Sequence, residues 1–114
     1  MPKYNKKIRL REFNRQHNLQ QCWSQINTLL EQTNTFINKS SQYQKTGFSW
    51  EMYINQLFGS IKQILKTNNI KLRSTPYRIT QNHFYNLKKL STTNEIINEL
   101  KQFICVIKIK SRCV

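Results

Sequence analysis

Residues 7–30, KIRLREFNRQHNLQQCWSQINTLL, change their hydrophobic period half-way along and so carry most of the information about the fold. In residues 7–13 apolar and charged side chains alternate, which is typical of a β-strand with a basic face. From Leu19 onward the apolar side chains recur every three or four residues, and this spacing predicts an amphipathic helix to Leu30. Asn18 is placed to cap that helix. The stretch therefore predicts a strand followed by a helix.

The middle of the chain predicts a loop, a second helix and a short strand. Residues 34–47 are polar and rich in Ser, Gln and Lys, as loops are. Ser49 is placed to cap a helix whose apolar stripe spans residues 50–65, and the Asn pair at 68–69 is a stop signal. Residues 70–74 alternate in polarity and predict a second strand.

The C-terminal third predicts another helix and a last strand. Residues 77–90 fit either two strands or one short helix with Phe84 and Leu87 facing inward. Thr92 and Glu95 have the spacing of a capping box, which predicts a helix start. Residues 103–110, FICVIKIK, alternate and predict a strand with an apolar face. The order of elements predicts an α+β sandwich in which helices cover one face of a sheet.

The charge of the chain points to a polyanionic partner. The 114 residues include 19 Lys and Arg against 5 Glu and no Asp, a net charge of +14. Such a charge repels itself in a compact fold unless a polyanion neutralises it, and nucleic acid is the commonest polyanion. Tyr77, Phe84 and Tyr85 lie between basic residues and are candidates for stacking on unpaired bases. Core packing is the favoured role for Phe84, whereas Tyr77 is expected to be exposed.

Composition also indicates an AT-rich genome. Ala is absent and Gly and Pro number two each, while Ile, Asn and Lys number 13 each. This bias favours an organellar genome, and we expect the protein in the mitochondrial matrix, with a plastid, an AT-rich bacterium, a phage or an AT-rich nuclear genome as the other sources.

The sequence gives few signs of catalysis. The five Glu form no carboxylate pair, and motifs for phosphate loops, metalloproteases and serine hydrolases are absent. Three widely spaced Cys and two His do not match a metal site or a disulfide scaffold. The longest apolar runs are far shorter than the about 20 residues of a membrane span. We therefore expect no enzyme activity, cofactor, metal, membrane contact or small-molecule substrate.

Several segments resemble the S-ten family of small-subunit ribosomal proteins when they are taken in order. Residues 7–14 and the helix at 19–30 resemble the family's basic first strand and first helix. LRSTPY at 72–77 is similar to the family's LRSPH loop with one residue inserted, and residues 83–85 resemble the segment after it. Residues 92–110 are similar to the capped last helix and the last strand. The family's GPIPLP motif is missing, and residues 33–68 stand in its place as a divergent insertion.

The resemblance implies a ferredoxin-like βαββαβ sandwich with an extended basic hairpin and an inserted helical segment. Residues 1–6 would be a basic arm and residues 7–112 a single RNA-binding domain. The function would be structural, in the head of an organellar small ribosomal subunit, with ribosomal RNA and proteins of the S-fourteen and S-three families as partners. The candidate RNA-binding residues are Lys7, Arg9, Arg11, Arg15, Lys71, Arg73, Tyr77 and Arg78.

Two other classes of function stay open. One is a DNA-binding regulator from a phage or mobile element, with the helix at 91–102 as its recognition helix. The other is a basic accessory subunit of an organellar membrane complex that binds protein or anionic lipid.

Overall fold

The described part of the chain forms a bundle of four long helices. A computed structural model describes residues 2–39, 43–44, 46–71 and 73–112, and side chains from residue 16 onward. The helices are α1 (Pro2–Asn38), α2 (Trp50–Thr67), α3 (Thr75–Lys88) and α4 (Thr93–Arg112). The described residues contain no strand. The predicted α+β ferredoxin-like sandwich is therefore wrong, and so is its extended hairpin.

Two segments predicted as strands are parts of helices. Residues 7–13 belong to α1, because no Gly, Pro or other stop signal separates them from the helix that follows, and Asn18 lies inside α1. Residues 103–110 belong to α4, where Phe103 and Ile107 continue the buried stripe of Ile96 and Leu100. This stripe has the helical period of 3.6, so packing against the bundle outweighs the β propensity of the Ile and Val residues.

Between α1 and α3 the structure differs from the prediction in the start of one loop and in the type of one segment. Helix α1 runs to Asn38, so the predicted loop at 34–47 begins five residues too early. Residues 70–74 form the turn between α2 and α3, where a second strand was predicted; within this turn position 72 lies outside the described residues. Of the two possibilities for residues 77–90, the helix is the correct one, and Phe84 and Leu87 face inward.

Successive helices run antiparallel, so that α1 and α3 point one way and α2 and α4 the other. The Phe36 and Tyr53 rings stack with their centroids 4.5 Å apart, which joins the end of α1 to the start of α2. At the other end of this pair, Asn68 Nδ2 donates to Gln25 Oε1 over 2.9 Å. Trp50 Nε1 donates to Thr93 Oγ1 over 3.3 Å, which places the start of α4 beside the start of α2. Helix α1 packs on α2 and α4, and α3 packs on the same two helices.

The core is a single cluster to which each helix contributes one stripe of apolar side chains. The stripes of α1 and α2 were visible in the sequence as helical spacing, and the stripe of α4 was visible only as far as Leu100. The fully or almost fully buried apolar residues are Cys22, Trp23, Ile26, Leu30, Ile37, Ile54, Leu57, Ile61, Leu65, Phe84, Leu87, Ile96, Leu100, Phe103 and Ile107. Because residues 37–65 supply five of these side chains, the middle of the chain is part of the core.

Side chains cap two helices at the positions that the sequence predicted. Ser49 Oγ accepts from Met52 N over 3.4 Å at the start of α2. Thr92 Oγ1 accepts from Glu95 N over 3.3 Å and donates to Glu95 Oε1 over 2.6 Å at the start of α4. Asn68 is the C-cap residue of α2, and Asn69 follows in the left-handed region with φ 58°. An Asn tolerates that conformation better than most residues, which explains the stop.

The first helix is much longer than the others. Its 37 residues span about 55 Å, whereas the 18 residues of α2 span about 27 Å. The whole molecule measures 65 × 22 × 19 Å. Among the described side chains of α1, burial starts at Cys22. The N-terminal part of α1 therefore extends past the end of the bundle at which α2 ends and α3 begins.

Candidate nucleic-acid interface

Exposed cations collect at one end of the bundle. Because neighbouring helices are antiparallel, this end contains the end of α2, the α2–α3 turn, the start of α3 and the end of α4. We call it the basic end and define it by seven exposed residues: Lys66, Lys71, Arg73, Arg78, Lys108, Lys110 and Arg112. The N-terminal part of α1 extends outward from the same end, and its sequence contains six more Lys and Arg residues.

The carboxylates whose side chains the structure describes lie elsewhere. Glu51 and Glu95 are in the first turns of α2 and α4, at the opposite end, where a negative charge also suits the helix dipole. Glu31 lies nearer to that opposite end along α1. Glu99 Oε1 lies 2.8 Å from His83 Nδ1, midway along the bundle, and both side chains are largely buried. Among the described side chains, no carboxylate therefore offsets the positive potential of the basic end.

A cleft of about 570 Å³ opens within the basic end. The α2–α3 turn contributes Lys71 and Arg73 to its wall, and Leu19 of α1 contributes an apolar side. Backbone hydrogen bonds fix the turn, from Ile70 N to Leu65 O over 2.9 Å and from Ser74 N to Lys71 O over 3.1 Å. The first turn of α3 also lines the cleft, and the amide groups of a helix start carry partial positive charge.

The structure brings together three of the predicted RNA-binding residues. Lys71, Arg73 and Arg78 are exposed and lie within two turns of the start of α3. Tyr77 differs from the prediction, because it is half-buried and packs against the core. Residues 75–77, which end the segment similar to the LRSPH loop, instead form the start of α3, with Pro76 buried in its first turn.

The other four predicted residues lie on the extended part of α1. The backbone of this part is helical, so these residues do not form the basic strand that was expected. Their side chains lie outside the described residues. They are Lys7, Arg9, Arg11 and Arg15.

The candidate RNA-binding residues did not include the cations that α4 contributes to this surface. Lys108, Lys110 and Arg112 are far from the α2–α3 turn in sequence, and they reach the basic end because α4 runs antiparallel to α3. Recognising the helical stripe from Ile96 to Ile107 would have placed them there. A second signal of a basic surface in the sequence is that residues 52–94 contain no acidic residue. This range covers most of α2 and all of α3.

Other reactive groups in the described part of the chain are dispersed. Burial raises the pKa of the Cys22 thiol to about 11, and burial also raises the pKa of Tyr53. No three described His, Cys, Asp or Glu side chains lie close enough together to bind a metal ion. Within the described ranges, no helix is both long enough and apolar enough to cross a bilayer.

Fold and charge together define a small, basic protein, helical in its described part, in which seven of the twelve described Lys and Arg side chains lie exposed at one end. Comparison of the chain with protein-family models, with curated proteins and with solved structures finds no match.

Proposed function

We propose that this protein binds RNA through its basic end. The observation that carries the proposal is the separation of charge: seven exposed Lys and Arg at one end of the bundle, with the described carboxylates elsewhere. Surface charge that served solubility alone has no reason to collect at one end. Phosphate groups in RNA are the closely spaced anions that such a surface fits.

Binding would rest on phosphate contacts. Each Lys or Arg that neutralises a phosphate releases a condensed counterion, which gives affinity without sequence preference. Backbone hydrogen bonds hold the turn that carries Lys71 and Arg73, so the backbone positions of these two residues are fixed. Arg78 extends the surface along α3. The extended part of α1 would add further contacts along the RNA.

The finer assignment to an organellar small ribosomal subunit stays a prediction. The S-ten resemblance implies a ferredoxin-like domain, and the described chain is helical, so the proposal rests on the charge geometry and not on that resemblance. Ribosomal RNA, the S-fourteen and S-three neighbours and the mitochondrial location belong to the same prediction. It requires that the chain sediment with the small subunit.

A matched pair of charge reversals tests the proposal. Lys71→Glu changes the basic end, and Lys39→Glu makes the same change in charge at the opposite end, where α1 finishes. Both residues are exposed, so both variants are expected to fold. We expect Lys71→Glu to weaken binding of a fluorescein-labelled RNA by roughly tenfold at 0.1 M KCl, and Lys39→Glu by less than about twofold.

Fluorescence anisotropy measures both affinities, and circular dichroism verifies the helix content. Equal weakening by the two substitutions would mean that net charge alone attracts RNA, and the basic end would not be the site. Failure of the unmodified protein to bind RNA would contradict the proposal outright.

A further inference from the structure

Helix α3 carries a polar stripe along its outer face. Arg78, Asn82, Tyr85 and Lys89 follow each other at intervals of four, three and four residues, which places them on one side of a helix. All four are exposed. Lys89 is the C-cap residue that directly follows the last residue of α3. We call these residues the α3 stripe. It begins at the basic end and runs about 16 Å along the bundle.

Packing on the opposite side fixes the direction in which the stripe faces. Phe84 stacks on Phe58 of α2 with the ring centroids 4.6 Å apart. It also meets Phe103 of α4 edge to face at 5.7 Å. Phe84 is 1% exposed, so α3 cannot turn about its axis without unpacking the core. The stripe is therefore held towards solvent by the same residue that anchors the helix.

Tyr85 is the aromatic member of the stripe, and its position between basic residues had made it a candidate for stacking. It is 62% exposed, one of three large apolar or aromatic side chains in the described chain that are more than half exposed. Lys89 Nζ lies 4.2 Å from the centroid of its ring, a cation–π contact that orients the ring and places a positive charge beside it. An exposed aromatic ring next to cations is the arrangement on which unpaired bases stack.

The charge around the stripe narrows the class of ligand. No acidic residue occurs between Glu51 and Glu95, so α3 carries only cations and neutral groups. Asn82 lies between Arg78 and Tyr85 and offers both a donor and an acceptor to a base edge. Duplex RNA does not suit this helix, because the major groove of an A-form duplex is too narrow for side chains to read.

We propose that the α3 stripe binds single-stranded RNA, with a base stacked on Tyr85 and phosphates at Arg78 and Lys89. This inference rests on the proposed RNA binding and assigns it a strand class and a stacking residue. The basic end would supply the phosphate contacts that attract RNA. The stripe would then favour unpaired segments over duplexes.

Substitutions at Tyr85 test the stacking role. Removing a stacking ring weakens single-strand binding by roughly 5- to 150-fold. We therefore expect Tyr85→Ala to weaken binding of a labelled 12-nucleotide single-stranded RNA within that range. Tyr85→Phe keeps the ring, so its affinity is expected to stay within about twofold. Met52→Ala is the matched control, because Met52 is 63% exposed and lies in the first turn of α2, at the other end of the bundle.

Anisotropy titrations with the single strand, an RNA duplex and a DNA duplex distinguish the outcomes. Selective loss in Tyr85→Ala, retained affinity in Tyr85→Phe and weaker binding of both duplexes support the inference. If Tyr85→Ala binds as the unmodified protein does while Lys71→Glu is weakened, the inference is overturned and the proposed function stands. Tighter binding of either duplex also overturns it. If the unmodified protein binds none of the three, the proposed function fails first.

Discussion

Cys22 and Cys105 show how the bundle sets the chemistry of single residues. Cys22 is fully buried in the core, and burial raises its pKa to about 11. Cys105 is exposed on α4, although the predicted strand had placed it on the apolar core face. The sequence shows no disulfide pattern for either residue. It did not distinguish their exposure, because that depends on the helical phase of α4.

The two thiols should therefore react at very different rates. In a Cys113→Ser variant at pH 8, we expect N-ethylmaleimide to modify Cys105 rapidly and Cys22 only after unfolding, because the thiolate is the nucleophile. Mass spectrometry after timed quenching measures both rates, and urea is the control that should make them similar. Equal rates without urea would place Cys22 outside the core.

At the scale of elements, two of the three predicted helix caps are present, whereas strand periodicity predicted no strand correctly among the described residues. Ser49 and the Thr92–Glu95 pair cap helices as predicted, because capping depends on a few neighbouring residues. Residues 103–110 fit both an alternating strand and a helical stripe. Which pattern applies depends on what the segment packs against, and Leu100 and Phe103 join the stripe to the core of the bundle.

Two isoleucines in α4 distinguish the helix from the predicted strand. Ile107 is fully buried, whereas Ile109 is 55% exposed, but in a strand they would share one face. We expect Ile107→Ala to lower the free energy of unfolding by about 2–5 kcal/mol, because it leaves a cavity in the core. Ile109→Ala should change it by less than about 0.5 kcal/mol. Urea denaturation followed by circular dichroism measures both values. Similar losses would contradict the helical phase of α4.

At the scale of the whole molecule, the class of partner was visible in the sequence and its place on the surface was not. Lys71, Arg73 and Arg78 are close in sequence, so any fold would keep them near each other. Lys108 to Arg112 join them only through the antiparallel course of α4. The basic end therefore depends on the antiparallel arrangement of the helices. The strands predicted from the sequence could not have located it.

This concentration of charge should make folding and RNA binding respond to salt in opposite directions. The net charge of +14 repels itself in the free protein, and salt screens that repulsion over about 10 Å at 0.1 M. We therefore expect the free energy of unfolding to rise between 50 and 500 mM KCl.

RNA affinity should fall over the same range, with a slope of log K against log salt of about −2 or steeper if Lys71, Arg73 and Arg78 each contact a phosphate of a single strand. Lys71→Glu should flatten that slope by about 0.7, whereas Lys39→Glu should leave it unchanged. Parallel urea and anisotropy titrations measure both responses, and an affinity that does not depend on salt would show that phosphate contacts at the basic end do not hold the RNA.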